Sequence, residues 1–177
     1  MAVTTVTYDS TTDSNALTLT LASLATSATW IVGRQSTVVD NVTPLYVDFM
    51  VSGQITTGTT PTVSTEIRVY AFAPLKLVSS MYSYPIATST QLGASDAAAT
   101  FEANQVAQLR LAATAVVNAT SDRAYAFEPF SIAQLFGGIV PRKWGLFVTH
   151  NSGTAKILNA TAGNHWFHWT GIKYTST

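Results

Sequence analysis

The chain has 177 residues and no formal net charge, with 9 Lys and Arg balancing 9 Asp and Glu. This length suits one domain that hides roughly 70% of the surface of its unfolded chain. Charged residues make up only 10% of the sequence, against about 25% in typical soluble domains. The balance leaves no electrostatic field that would attract nucleic acid or an anionic membrane. The absence of cysteine excludes disulfides, thiolate metal sites and a cysteine nucleophile.

The first fifteen residues are polar and follow no sustained period. They predict an extended N-terminal arm over residues 1–15 that becomes ordered against a neighbouring molecule. Neither a secretion signal nor a membrane span is indicated, so we expect a protein made in the cytoplasm. Residues 16–177 are predicted to form a single β domain.

Alternation of apolar residues with threonine begins at Ala16 and predicts a half-buried strand through Leu17, Leu19 and Leu21. A short apolar run from Trp30 to Gly33 has the length of a strand. Threonine favours such pleated, half-buried surfaces because its branched Cβ restricts the side chain.

The clearest alternation lies between Pro44 and Ser52. One face holds Leu45, Val47, Phe49 and Val51, and the other holds Tyr46, Asp48 and Met50. Because successive side chains of a strand point to opposite faces, the first set is predicted to be core and the second to face solvent or a partner.

A second strand follows, in which Ile67, Val69 and Ala71 alternate with polar residues. Gly58 and Pro61 interrupt the pattern before it, so the two strands are predicted to pair as a hairpin. Asp48 and Glu66 would then face each other across the pair, with Arg68 near enough to form an ion pair.

The segment 73–99 contains Pro74 and Pro85 and predicts a long excursion that makes contacts. A helical turn is expected near 101–107, followed by strands that start at Leu109 and Arg123. Ser131 is predicted to cap one short helix near 132–136, ended by Gly137 and Gly138.

Alternation resumes through Trp144, Leu146 and Val148. A turn at 151–153 is expected to let residues 155–158 pair back, and a last strand runs over 165–174. About eight to ten short strands with unequal loops predict an all-β fold, a β-sandwich or jelly roll with Greek-key connections.

No constellation of catalytic residues is predicted. His165 and His168 have the spacing of a helical metal pair, but on a strand they point to opposite faces. No G-x-S-x-G elbow surrounds a serine, and His150 lies beside a turn without a nearby acid. We therefore expect no catalytic residue, no cofactor and no metal site.

The C-terminal run places Trp166, His168 and Thr170 on one face of a strand, opposite Phe167 and its neighbours. One face must be core, and the other is either a protein contact or a platform for stacking sugar rings. Arg142 and Lys143 are expected to meet acidic residues of a neighbouring subunit. The predicted interface residues are Tyr46, Asp48, Met50, Arg142, Lys143, Trp166 and His168.

Two segments carry a family resemblance: WIVGRQSTVVDNVTPLYVDFMVSGQITTGTTPT from Trp30, and IAQLFGGIVPRKWGLFVTHNSG from Ile132, with the Asn164 and His165 tail. The resemblance rests on four features: the Gly33-Arg34 start, the Val39-Asp40-Asn41 step, the Gly58-Thr59 turn and the Leu135-Phe136-Gly137-Gly138 element. The segments, roughly residues 28–72 and 108–174, resemble small β-rich auxiliary head proteins of tailed bacteriophages, which decorate or cement the capsid.

The resemblance implies a structural virion protein on the capsid exterior, without enzymatic activity, that binds the major capsid protein and forms a homotrimer. Nucleic acid and membrane are not expected partners. A receptor-binding or glycan-binding head domain of a phage fibre or spike is the alternative. A small virion hydrolase is a third possibility, with no motif in its favour.

Overall fold

The computed structural model describes residues 4–9, 15–74, 77–78, 81–82 and 92–176. Within them the chain forms thirteen strands and one short α-helix, besides 3-10 turns at Val106–Gln108 and Ala162–Asn164. In chain order the elements are β1 Thr4–Tyr8, β2 Asn15–Ala16, β3 Val32–Gln35, β4 Val39–Asp40, β5 Asp48–Thr56, β6 Thr65–Phe72, β7 Leu77–Val78, β8 Met81–Tyr82, β9 Ala97–Thr100, β10 Arg110–Val117, β11 Ala124–Ser131, α1 Ile132–Leu135, β12 Lys143–His150 and β13 Trp166–Ser176.

Two antiparallel sheets pack face to face. Sheet I has the order β1, β13, β5, β11, and β2 also pairs with β13. Sheet II has the order β10, β6, β12, β3, β9, and β4 also pairs with β12. The all-β sandwich predicted from the sequence is confirmed, as is its short helix, whereas the jelly-roll connectivity stays a prediction.

The predicted hairpin between β5 and β6 is wrong. β5 pairs with β11 and β13 in sheet I, and β6 pairs with β10 and β12 in sheet II. The segment between them therefore crosses from one sheet to the other, through a buried Pro61 and positive φ values at Thr60 and Ser64. Glu66 forms its ion pair with Arg68 at 2.7 Å, on the sheet opposite Asp48.

The main core fills the space between the sheets. Inward side chains come from Phe49, Val51 and Ile55 of β5 and from alternate residues of β6, β12 and β13 (Ile67, Val69, Ala71, Trp144, Leu146, Val148 and Phe167). Gly53 belongs to this inward series because a Cβ there would lie 2.3 Å from the Phe167 ring. A glycine in the strand thus makes room for an aromatic ring.

A second apolar cluster covers the other face of sheet II. Tyr70, Phe72 and Phe147 point away from the main core and pack with Leu92, Ala99, Phe101 and Leu109. The rings of Phe101 and Phe147 meet edge to face at 4.9 Å. The predicted excursion therefore contributes, from residue 92 onward, to a layer that covers the second face of sheet II at its central strands β6 and β12, while most of 75–91 lies outside the described residues.

Three sequence expectations fail at the ends of strands. Leu17 and Leu21 are buried as predicted, but β2 ends at Ala16. Leu45 is 71% exposed and has a positive φ, and Val47 is also exposed, because regular pairing of β5 begins only at Asp48. Residues 155–158 do not pair back onto β12; Ile157 and Leu158 instead bridge Ala25 and Thr57.

The predicted N-terminal arm lies on the chain's own domain. β1 pairs antiparallel with β13, from Thr4 opposite Ser176 to Tyr8 opposite Ile172. Asp9 and Leu17 continue this edge, since their N–H groups donate to the carbonyls of Gly171 and Phe167. Thr4–Tyr8 is thus the edge strand of sheet I within this chain.

Candidate docking surface

Sheet I leaves one broad face towards solvent. We call it the outer face, and its residues include Val6, Tyr8, Met50, Ser52, Trp166, His168, Thr170 and Tyr174. Val6 lies opposite Tyr174 and Met50 opposite Thr170, and directly opposed residues of an antiparallel pair share a face. Trp166 is 39% exposed and Tyr174 is 62% exposed. Neither apolar cluster of the core reaches this surface.

A shallow groove of about 290 Å³ lies on the outer face. Its walls include Tyr8, Met50, Ser52, Pro129, His168 and Thr170. The rings of Trp166 and His168 stand edge to face, with centroids 5.3 Å apart. Met50, Trp166 and His168, three of the predicted interface residues, are therefore brought together here.

None of the eight residues named above is Asp, Glu, Lys or Arg, and the charged residues with outward positions on the same sheet, Asp48 and Glu128, lie on β5 and β11. A contact made through these eight residues would gain its free energy from apolar burial and hydrogen bonds. Such contacts depend little on ionic strength, whereas contacts between exposed charges are screened by salt.

Tyr46 packs its ring against the core of its own chain. Its ring packs edge to face against Phe49 at 5.2 Å and Trp169 at 6.4 Å. A Cβ at Gly171 would lie 2.6 Å from that ring, so glycine makes room for it. The Tyr46 hydroxyl donates to the Asp9 carboxylate. Burial, and secondly this carboxylate, raise the pKa of Tyr46 to about 12.

We predict that Tyr46→Phe lowers the free energy of unfolding by about 1 to 2 kcal/mol, because a charge-assisted hydrogen bond is lost while the ring stays. Urea unfolding measures the change. Asp9→Asn is the matched variant, and the double substitution should cost less than the sum of the two single ones. Strictly additive losses of unfolding free energy would show that the Tyr46 hydroxyl and the Asp9 carboxylate do not interact.

Asp48 also acts within the chain. Its carboxylate accepts hydrogen bonds from the N–H of Ala133 at 2.9 Å and from the hydroxyl of Ser131 at 2.6 Å. Ser131 in turn accepts from the N–H of Gln134 at 3.0 Å, which is the predicted N-cap of α1. Gly137 and Gly138 have positive φ, so the helix ends as the sequence predicts. Asp48 therefore fixes the start of α1, and its role in an interface stays a prediction.

Lys143, predicted to meet a neighbouring subunit, forms an ion pair within the chain with Asp40 at 2.9 Å. Burial raises the pKa of Asp40, but the hydrogen bond and charge of Lys143 outweigh it and hold that pKa below its usual value. Arg142 is exposed beside this pair. Neither basic residue belongs to the outer face.

A Ser–His pair exists, but it is sealed inside the domain. Nδ1 of His150 lies 2.9 Å from the Ser152 hydroxyl, and both residues are fully buried. Nε2 of His150 lies 2.8 Å from the carbonyl oxygen of Leu24, where a hydrolytic triad has a carboxylate. Neither residue has exposed surface, which is the environment of a structural hydrogen bond.

His165, just before β13, and His168 within β13 point to opposite sides of sheet I, as predicted. His165 is buried and bonds Thr56 and Asn159, whereas His168 lies on the outer face. Across the described part of the chain, no cluster of three or more His, Asp or Glu side chains is placed to hold a metal ion.

Sequence reasoning missed the contribution of β1 to the outer face. Val6 and Tyr8 fall in the predicted arm, although residues 5–8 alternate threonine with an apolar or aromatic side chain. That short alternation was the available signal, and it becomes informative only when the register against β13 is known.

Searches against known proteins return nothing: no family model, no curated protein and no solved structure matches this chain. Among the described residues, no helix has the length and apolar character needed to cross a bilayer.

Proposed function

We propose that this chain is a structural virion protein that decorates and cements a bacteriophage capsid through subunit contacts. The observation that carries the proposal is the unequal covering of the two sheets. The central strands of sheet II, β6 and β12, are largely buried on both faces by the chain itself, although the edge strand β10 exposes Leu111 and Val116. The outer face of sheet I instead exposes Trp166, Tyr8 and Tyr174. Exposed apolar and aromatic side chains on one face are characteristic of a surface that binds another protein.

The low charge of the chain favours the same role. A capsid-binding protein joins many copies at high local concentration, where repulsion between like-charged subunits would oppose assembly. A surface with few charges binds without strong dependence on salt. The major capsid protein is the proposed partner, a trimer is the proposed oligomer, and the exterior of the virion is the proposed location. These three follow from the resemblance of the two segments that start at Trp30 and Ile132.

Genome release on heating tests the proposal. Particles that lack the protein should release DNA at a lower temperature than particles that carry it. Particles that carry the double variant Tyr8→Ser and Trp166→Ser should release DNA at an intermediate temperature, because the variant removes aromatic area from the outer face. Val116→Ser is the matched control, since Val116 is an exposed apolar residue of sheet II and its loss should leave the release temperature unchanged.

One observation favours a second function, a glycan-binding fibre or spike head. The groove beside Trp166 and His168 combines aromatic rings with the Ser52 and Thr170 hydroxyl side chains, which is the chemistry that stacks and hydrogen-bonds sugars. If all particles release DNA at one temperature while Tyr8→Ser with Trp166→Ser reduces attachment to host cells, the cement function is wrong and the glycan-binding function replaces it.

A further inference from the structure

The edge strand β1 is attached to the domain mainly through one partner. All five of its residues pair with β13. Thr5 and Thr7 hydrogen-bond to Thr175 and Lys173 of that strand, while Val6 and Tyr8 are more than half exposed. No β1 residue belongs to either core cluster. Removing β1 from its edge would therefore open no cavity in the core.

The connection from β1 to β2 is longer than its path along β13 requires. Tyr8 lies opposite Ile172 and Asn15 lies opposite Trp169. Three residue steps along β13 thus correspond to seven steps along the N-terminal chain. Three extended steps span about 10 Å and seven span about 23 Å. The surplus of roughly 13 Å lets β1 move away while β2 keeps its place.

We propose that β1 is exchanged between copies of this chain, so that Thr4–Tyr8 of one copy pairs with residues 172–176 of another. The second copy has the same sequence, so the exchanged strand makes the same hydrogen bonds in the same register, including the contact of Asp9 with Tyr46. Exchange then links subunits without new complementary surfaces, which is the usual advantage of strand swapping. The inference rests on the proposed function, since it names how the decorating subunits hold one another.

Engineered cysteines test the exchange, because the chain has none of its own. Val6 and Tyr174 are directly opposed, at a separation that suits a disulfide. Two single variants, Val6→Cys and Tyr174→Cys, are co-expressed, one with a size tag, then oxidised and separated by non-reducing denaturing electrophoresis. A disulfide between the two chains requires that β1 of one lies on β13 of the other.

The matched control is the pair Gln54→Cys and Ala126→Cys, directly opposed on β5 and β11 inside sheet I. We expect the Val6 and Tyr174 pair to give at least about ten times more mixed disulfide than the control pair. Equal yields from the two pairs would overturn the exchange. Heat-induced genome release is measured separately on unmodified particles, so stabilised particles without the mixed disulfide would overturn the exchange alone and leave the cement function standing.

Discussion

Replacing Phe49 with alanine is expected to lower the free energy of unfolding by about 3 to 5 kcal/mol. Phe49 is fully buried at the centre of an aromatic cluster that joins the two sheets. Its ring lies 5.3 Å from Trp169 of sheet I and 5.3 Å from Trp144 of sheet II. The substitution removes apolar contacts on both sides and leaves a cavity that the two β-sheets cannot easily close.

Met50→Ala is the control, because Met50 is the next residue of the same strand and lies on the outer face. It should cost less than about 1 kcal/mol in the isolated protein. Urea unfolding of both variants, followed by tryptophan fluorescence, measures the difference. Equal losses would mean that β5 is buried on both faces, as β12 is. Tyr46 is unsuitable as a control because its ring packs against Phe49.

Alternation predicted which side chains of a strand share a face, and it did so well for Phe49 and Val51 and for Trp166 and His168. It did not predict which strands pair. The patterns of β5 and β6 are the same whether the strands form a hairpin or face each other across a core. The segment 57–64 decides between these two arrangements, because its positive φ values and buried proline direct the chain from sheet I to sheet II.

The outer face was predicted only in part, because strand parity shows which side chains share a face but not where the paired part of a strand begins. Met50, Trp166 and His168 follow from strand parity alone. Tyr46 has the same parity as Met50 but precedes the paired part of β5, so its ring turns inward over Gly171. The roles of Asp48 and Lys143 depend on contacts with residues distant in sequence, Ala133 and Asp40, which no local pattern reports.

Acid is expected to destabilise the domain as the pH falls below about 6.5, before carboxylates begin to titrate. Burial lowers the pKa of both His150 and His165, and for His150 the nearby His165 lowers it further, while backbone hydrogen bonds oppose this only in part. Both rings are therefore neutral in the folded protein. The unfolded chain binds protons at these residues first, so stability is complete above the unfolded pKa and is lost as the pH decreases towards the folded pKa.

The hydrogen bonds explain why the neutral form is retained. Nε2 of each ring donates to a backbone carbonyl, of Leu24 or Asn159, which leaves Nδ1 as an acceptor. Nδ1 of His165 receives the N–H of Thr56, and Nδ1 of His150 receives that of Ser152. A second proton on His165 would place its Nδ1 against the N–H of Thr56, so the charged form loses a hydrogen bond as well as its hydration. At His150 the Ser152 hydroxyl, 2.9 Å from Nδ1, would have to turn from donor to acceptor.

Urea unfolding between pH 7.5 and 5 measures this effect, which approaches about 1.4 kcal/mol per pH unit for each histidine that stays neutral. His150→Gln is the informative variant, because its amide can still donate to the Leu24 carbonyl but does not titrate. It should be less stable than the natural chain at pH 7.5 and should lose less stability on acidification. Asp40 and Asp96 do not interfere, since their lowered pKa values restrict their effect to pH below about 4. An unchanged slope in His150→Gln would assign the acid sensitivity to other groups and would show that His150 does not remain neutral in the folded domain.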